Sequence, residues 1–229
     1  PEPRGPAAAR GSLVHLVLEQ LFAEPAEERT AERAQILLLE TWRDMQEEDE
    51  FRPEGLTPEQ EAQWLREGQK LLRNLFRLED PSSLDASRLE WWVEYELADL
   101  HLRGIIDRLE VRPDGSWIIT DYKTGRVPGE TRELMAFFGL RFYALVCWRA
   151  FGVIPEAIRL VYLSDPAVLT LNPNEQMLVA FEKQMLALGK AIRRAAERDD
   201  WRARPSPFCM SCSFQNMCPA WAGAETKTS

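Results

Sequence analysis

Two carboxylates and one ammonium group occupy related positions on two neighbouring apolar segments. Asp107 lies in residues 102–111, and Asp121 and Lys123 lie at the end of the segment that begins at Trp117. Side chains alternate faces along a strand, so Asp121 and Lys123 share one face. A buried carboxylate without a partner is costly, and one hard divalent cation, Mg²⁺ or Mn²⁺, is the simplest way to accommodate all three groups. A buried Asp–Lys ion pair without chemistry is the alternative interpretation.

The chemistry expected of such a set is metal-assisted hydrolysis. The ion generates or orients a nucleophilic water, and a lysine beside it polarises that water and stabilises developing negative charge. The two segments are joined by residues 112–115, RPDG, which are typical of a tight turn. Pro113 presets φ, Asp114 can bond its own backbone, and Gly115 can adopt φ > 0. The sequence therefore predicts a β-hairpin that carries the three groups.

The hairpin contains two motifs at a specific spacing. The first, G-x-x-D-R, stands at Gly104, Asp107 and Arg108, and the second, D-Y-K-T-G, stands at residues 121–125. The pair resembles the core of the PD-(D/E)XK nucleases, and most closely their RecB-like exonuclease branch. The resemblance implies an α/β fold with a restriction-endonuclease-like core, in which helices flank a central mixed sheet, and an inserted helical region.

The resemblance also implies roles for the residues of the two motifs. Asp107 and Asp121 are expected to be metal ligands, and Lys123 is expected to be the catalytic lysine. The backbone carbonyl of Tyr122 is expected to reach the metal. The remaining polar residues of the motifs are candidates for substrate binding: Arg108 and Thr124.

Two residues outside the hairpin join the expected metal site through the same resemblance. The pattern G-x-x-x-H-x-x-x-E-x-L-F at residues 11–22 resembles a family motif whose histidine is the third protein ligand, which here is His15. A structural histidine is the alternative. On the strand expected within residues 89–100, the family places a glutamate near the metal. Glu94 fits by position, with Glu96 as the runner-up, and a solvated charged pair is the alternative.

An aromatic-rich helix is predicted over residues 130–151. The family has a Q-x-x-x-Y motif at this place, and Tyr143 matches its tyrosine, whereas Gly139 stands where the glutamine is expected. Tyr143 is therefore a candidate for substrate binding. Arg141 is a candidate phosphate contact, although a surface arginine is the commoner case. Cys147 lies in an apolar context and is expected to be a buried core thiol.

Three cysteines near the end of the chain have the spacing of a metal site. Cys209, Cys212 and Cys218 form C-x2-C-x5-C-P, and such thiolates bind Zn²⁺ or an iron–sulfur cluster. The resemblance implies a [4Fe–4S] cluster completed by a cysteine upstream of His15. This sequence has no cysteine there, so we expect the fourth ligand to precede Pro1 or the site to be degraded.

Composition indicates an ordinary globular protein. Hydrophobic residues make up 45% and charged residues 28% of 229 residues, which suits one domain spanning residues 1–229. Residues 1–10 look like a linker. With clustered cysteines, no signal peptide and no membrane-spanning run, we expect a cytoplasmic protein without membrane contacts. The predicted segments are a His-motif helix (11–24), inserted helices (30–80), a catalytic core (88–170) and a cysteine tail (205–221).

The net charge of −9 is unusual for an enzyme of nucleic acids, since phosphate binding usually leaves a basic footprint. The acidic residues cluster at 24–32 and 47–54, outside the hairpin, and a bound metal adds positive charge. We expect a metal-dependent DNA nuclease, an exonuclease by resemblance, in DNA repair or recombination. No G-x-x-x-x-G-K-[ST] motif is present, so any unwinding must come from a partner such as a helicase or another repair protein.

Two alternative functions stay open at this point. The first is a catalytically weak or inactive module that keeps the nuclease fold for DNA binding or scaffolding. The second is a hydrolase that acts on the phosphodiester bonds of RNA or of nucleotides.

Overall fold

Helices and strands alternate along the chain in the order α1–α2–α3–β1–β2–β3–α4–β4–β5–α5–α6. In this computed structural model the described residues are 5–46, 56–127, 130–206, 209–210 and 212–222, without the side chains of 130–136 and 222. The helices are α1 (Pro6–Ala23), α2 (Ala31–Met45), α3 (Pro58–Leu78), α4 (Glu130–Phe151), α5 (Glu175–Glu197) and α6 (Pro219–Ala222). The strands are β1 (Arg88–Leu97), β2 (Leu100–Val111), β3 (Trp117–Lys123), β4 (Ala157–Tyr162) and β5 (Ala167–Leu171).

The strands form one five-stranded mixed sheet in sequence order. Three neighbouring pairs are antiparallel, whereas β3 and β4 run parallel. Parallel neighbours need a long crossover connection, and α4 provides it between β3 and β4. The predicted mixed sheet flanked by helices is therefore confirmed.

The predicted hairpin turn is confirmed between β2 and β3. Gly115 adopts φ 84°, a left-handed conformation that glycine takes without a steric penalty. The Asp114 carboxylate accepts a hydrogen bond from the Ser116 amide at 2.9 Å, which is the local backbone contact expected of this residue type. The turn thereby sets the register in which Arg108 pairs with Thr120.

A helical core forms where α1, α2 and α3 pack together. Its buried residues include Leu13, Leu38 and Leu72, and Tyr122 and Val161 of the sheet join the same cluster. Burying this apolar surface holds α1 in contact with residues of β3 and β4. The core thus positions the helix that carries His15.

The prediction of a linker at residues 1–10 is wrong from Pro6 onward, because α1 begins there. Proline suits the first turn of a helix, where its missing N–H is not needed, and the alanines that follow favour helix. Ala9 is fully buried, and the Trp64 indole donates a hydrogen bond to the Pro6 carbonyl at 2.6 Å. These tertiary contacts are invisible in the local composition.

The chain divides into two compact units, Pro1–Lys183 and Gln184–Ser229. The first contains the whole sheet, and the second contains the cysteine tail. A single domain over residues 1–229 stays a prediction. Within the predicted region of inserted helices (30–80), residues 47–55 lie outside the described residues. Within the described ranges, no helix is both long and apolar enough to cross a membrane.

Candidate active site

His15 on α1 lies close to two carboxylates, those of Glu90 on β1 and Asp107 on β2. The His15 Nδ1 atom lies 3.4 Å from Asp107 Oδ2 and 4.0 Å from Glu90 Oε1. One ligand atom from each of the three residues lies within 4.8 Å of the other two. We call His15, Glu90 and Asp107 the carboxylate cluster. Its oxygen and imidazole atoms are close enough to converge on a single divalent cation.

The backbone of β3 holds Asp107 in place. The Tyr122 amide donates a hydrogen bond to Asp107 Oδ2 at 2.7 Å. The register of β2 and β3 ends at the pair of Arg108 and Thr120, so the Tyr122 amide, which lies beyond it, is available to a side chain. Asp107 is thereby oriented by β3 as well as by its own strand.

Glu90 enters the cluster through a local distortion of β1. It adopts φ 40°, which is a strained conformation for a residue with a side chain. Leu89 packs against the helical core, whereas Trp91 packs against Trp117 at a ring distance of 5.9 Å. Residues two apart on a regular strand share a face, so the strand is twisted at Glu90. The twist directs Glu90 toward Asp107 on the neighbouring strand.

Asp121 and Lys123 form an ion pair next to the cluster. The Lys123 Nζ atom lies 2.5 Å from Asp121 Oδ2, and the contact lacks hydrogen-bond geometry. The Asp121 side chain is 8% exposed, whereas the Lys123 side chain is 45% exposed. The lysine therefore neutralises a buried carboxylate while its ammonium group stays accessible from solvent.

The electrostatics of the cluster favour a bound cation. Burial, followed by the charges of Asp107, Glu19 and Asp121, raises the pKa of Glu90 to about 7. Burial, followed by the charge of Asp121, raises the pKa of Asp107 to about 6, against the opposing effects of His15, the Tyr122 amide and Lys123. Both shifts arise because the carboxylates are partly removed from water and lie near other negative charges. A divalent cation fits this donor set and would supply the missing positive charge.

Comparison with known protein families matches residues 1–219 to the PD-(D/E)XK nuclease superfamily. The chain belongs to this superfamily. Its fold also resembles a crystal structure from Eubacterium rectale whose protein carries the provisional name of an exonuclease. The TM-score is 0.56 at 9% identity, with 98% of this chain and 76% of that chain covered. That likeness supports the fold alone, and no curated protein matches the sequence.

Glu94 is not brought to the site of this PD-(D/E)XK chain, and the prediction of its place is wrong. Its side chain is 72% exposed and lies 3.4 Å from His101 Nε2. Glu96, the runner-up, contacts the other nitrogen of His101 at 2.5 Å. The prediction assumed a regular strand, whereas the twist at Glu90 brings that residue to Asp107. The register of β1 and β2 is the feature that identifies Glu90. Leu89 pairs with Arg108, so the next residue of β1 lies beside Asp107.

The prediction that Arg108 contacts the substrate is also wrong. Its side chain is fully buried and pairs with Glu79 at 3.3 Å, and we call these two residues the buried ion pair. The guanidinium stacks over Phe22 at 4.5 Å, and the Tyr122 hydroxyl donates to Glu79 at 2.7 Å. A guanidinium enclosed in this way cannot reach a substrate.

Thr124 and Tyr143 lie near the carboxylate cluster, and their roles in substrate binding stay predictions. Thr124 lines an open cleft of about 750 Å³ together with His15 and Glu90. The Tyr143 ring packs so closely on β2 that a Cβ at Gly104 would lie 2.9 Å from it, which explains the glycine. Burial raises the pKa of Tyr143, and the charge of Asp121 adds to the effect.

Arg141, the candidate phosphate contact, does not lie in the carboxylate cluster. Its guanidinium lies 6.0 Å from the centroid of the Phe181 ring on α5, rather than in the carboxylate cluster. Cys147 is fully buried as expected, and burial raises the pKa of its thiol to about 12.

The second unit holds the three clustered cysteines, all as free thiols. Cys209, Cys212 and Cys218 line one small cavity of about 40 Å³, together with Gln215 and Trp221. Among the described residues they do not form a group with the close spacing found at His15, Glu90 and Asp107. The [4Fe–4S] cluster therefore stays a prediction.

Proposed function

We propose that the chain is a metal-dependent exonuclease of the RecB-like branch that hydrolyses phosphodiester bonds of DNA. The observation that supports this proposal is the carboxylate cluster beside the Asp121–Lys123 pair, at the wall of an open cleft. The motifs at Gly104–Arg108 and at residues 121–125 carry the assignment to the RecB-like branch. DNA repair or recombination is the process in which such an activity would serve.

His15, Glu90, Asp107 and Asp121 are the side chains that would hold Mg²⁺ or Mn²⁺, and the Tyr122 carbonyl is a further candidate ligand. The ion, when bound, would activate a water and neutralise charge on the phosphate. Three carboxylates and one imidazole supply the hard oxygen and nitrogen donors that such ions accept.

Lys123 is the residue that would act on the reacting groups. Its accessible ammonium lies within the reach of a water or phosphate oxygen near Asp121 and can stabilise negative charge that develops there. The Tyr122 amide keeps the Asp107 carboxylate at a constant orientation. Thr124 and Tyr143, at the margin of the site, would contact the substrate.

To digest duplex DNA, the chain would need a partner protein. A helicase or another repair protein would separate the strands, and the net charge of −9 is consistent with DNA binding that depends on such a partner. In the second unit, a [4Fe–4S] cluster on Cys209, Cys212 and Cys218 would need a fourth ligand.

The test is cleavage of end-labelled single-stranded DNA, duplex DNA and RNA with Mg²⁺, with Mn²⁺ and with EDTA. We expect metal-dependent release of short products from DNA, lost in Asp107→Asn and retained in Asp165→Asn, an exposed carboxylate in the β4–β5 turn. Cleavage of RNA alone would favour the phosphodiesterase alternative. Binding without cleavage would favour the scaffolding alternative.

A further inference from the structure

Trp92 is the most exposed large apolar side chain in the described part of the first unit. It is 63% exposed, on the edge strand β1. Its neighbours differ, because Trp91 packs against Phe151 at a ring distance of 5.0 Å and Val93 is buried. A tryptophan that stays in water, beside one neighbour packed on another ring and one that is buried, is unusual, and exposed aromatics commonly mark binding sites.

The position of Trp92 connects it to the cleft. Its partner across the β1–β2 ladder is Ile105, and paired residues project from the same face of a sheet. Ile105 lines the cleft together with His15 and Glu90. The indole is therefore a direct continuation of the cleft wall, two residues along β1 from Glu90.

A cationic side chain, that of Arg103, follows on the same face of the sheet as Trp92 and Ile105. Arg103 is the next residue of β2 on this face, since side chains alternate along a strand, and it is exposed. It makes no ion pair with the residues that the structure describes. The nearby carboxylates of Glu94 and Glu96 are both in contact with His101. An aromatic ring followed by an unpaired guanidinium is the combination that binds the bases and phosphates of a single nucleic-acid strand.

We propose that Trp92 stacks on an unpaired nucleobase of the strand whose phosphodiester bond lies in the cleft. This inference rests on the proposed function and specifies its substrate class as single-stranded or frayed ends. Within a duplex both faces of a base are covered by neighbouring bases, so the exposed indole can stack only where a base is free. Stacking on an aromatic is tolerant of sequence, because every base has a π-face.

The experiment measures binding by fluorescence anisotropy with the full chain. The probes are a short single-stranded oligonucleotide of mixed sequence and an abasic strand of equal length. Wild-type protein should prefer the strand with bases, and Trp92→Ala should bind that strand about 5- to 150-fold more weakly, the range for loss of one stacked base. Trp92→Phe should recover most of the affinity. Binding of the abasic strand should change little.

The matched control is Trp201→Ala, which removes a tryptophan of similar exposure, 62%, in the second unit. It should bind both strands as the wild type does. Equal affinity of wild type and Trp92→Ala for the strand with bases would overturn the inference. So would an equal loss in the control, or a change of oligomeric state by light scattering in Trp92→Ala, which would assign the face to a protein partner.

Failure of the proposed function is recognised separately. Hydrolysis of bis(p-nitrophenyl) phosphate by the wild-type protein with Mn²⁺ reports on the metal site without any base to stack. Its absence, together with intact DNA in the cleavage assay, would contradict the nuclease proposal whatever Trp92 does. Its presence, with no effect of Trp92→Ala on binding, would contradict the stacking inference alone.

Discussion

The side chain of Tyr122 and its backbone amide contact two ionic clusters of opposite character. The hydroxyl donates a hydrogen bond to Glu79 of the buried ion pair. Glu79 pairs with Arg108, and a second guanidinium, that of Arg159, lies 3.6 Å from the same carboxylate. The amide donates to Asp107 in the carboxylate cluster, where two carboxylates lie beside one imidazole. One residue of β3 thus belongs to both.

The difference between the clusters separates a structural role from a chemical one. Charges in the buried ion pair compensate one another, so the pair can be enclosed completely. In the carboxylate cluster the pKa of Glu90 is raised to about 7 and that of Asp107 to about 6, because burial and mutual repulsion are not offset. Uncompensated, partly open carboxylates of this kind are typical of functional sites.

Removing one partner of the buried ion pair should have the largest effect on the fold. Glu79→Ala would leave the Arg108 guanidinium buried without a counter-charge and the Tyr122 hydroxyl without its acceptor. We expect the free energy of unfolding to fall by about 3–5 kcal/mol, measured by urea denaturation. The control Glu67→Ala removes a partly exposed partner of Arg10 and should cost at most about 1 kcal/mol. An equal loss of unfolding free energy in Glu79→Ala and Glu67→Ala would contradict the structural role of the buried ion pair.

Removing Lys123, the cation beside the carboxylate cluster, should affect the rate of cleavage instead of stability. Lys123→Ala should lower turnover about 10²–10³-fold, the usual effect of losing one electrostatic stabiliser, while Mn²⁺ still binds. Lys70→Ala, at an exposed position on α3, is the control and should cleave like the wild type. Near-normal turnover of Lys123→Ala would favour an ion pair without chemistry.

Glu90 and Glu94 lie on one strand and offer a matched pair. Glu90→Gln should weaken Mn²⁺ binding about 10- to 100-fold, since it removes a charge from the cluster. Glu94→Gln should leave the affinity unchanged, because its side chain contacts His101. Isothermal titration calorimetry decides between them, and the reverse result would restore the assignment of Glu94 to the metal.

The smallest expected effect is a pH dependence of stability in EDTA. The folded-state pKa values of Glu90 and Asp107 lie above their ordinary values of 4.5 and 3.8, so the folded protein holds these protons more tightly than the unfolded chain. These two groups should therefore add stability as the pH falls from about 7 toward 5. Glu90→Gln should reduce this slope in thermal melts, and an unchanged slope would show that Glu90 does not titrate in this range.

Local patterns in the sequence determined much of the site. Alternation along the hairpin and the RPDG turn were enough to bring Asp107, Asp121 and Lys123 to neighbouring strands, because turn chemistry and strand period act over a few residues. The motif around His15 singled out a helical residue that lies 3.4 Å from Asp107, and its role as a ligand stays a prediction. These features depend on short-range geometry, which the order of residues encodes directly.

Only the tertiary structure decided which other charged residues belong to the site. Glu90 takes the place expected of Glu94 because β1 is twisted at a residue with φ 40°, and no local pattern announces that conformation. Arg108 is buried away from any substrate because it pairs with Glu79, which lies 29 residues earlier in the chain, just after α3. A charged side chain is buried or exposed according to whether packing brings it a partner, and that partner is chosen by the fold.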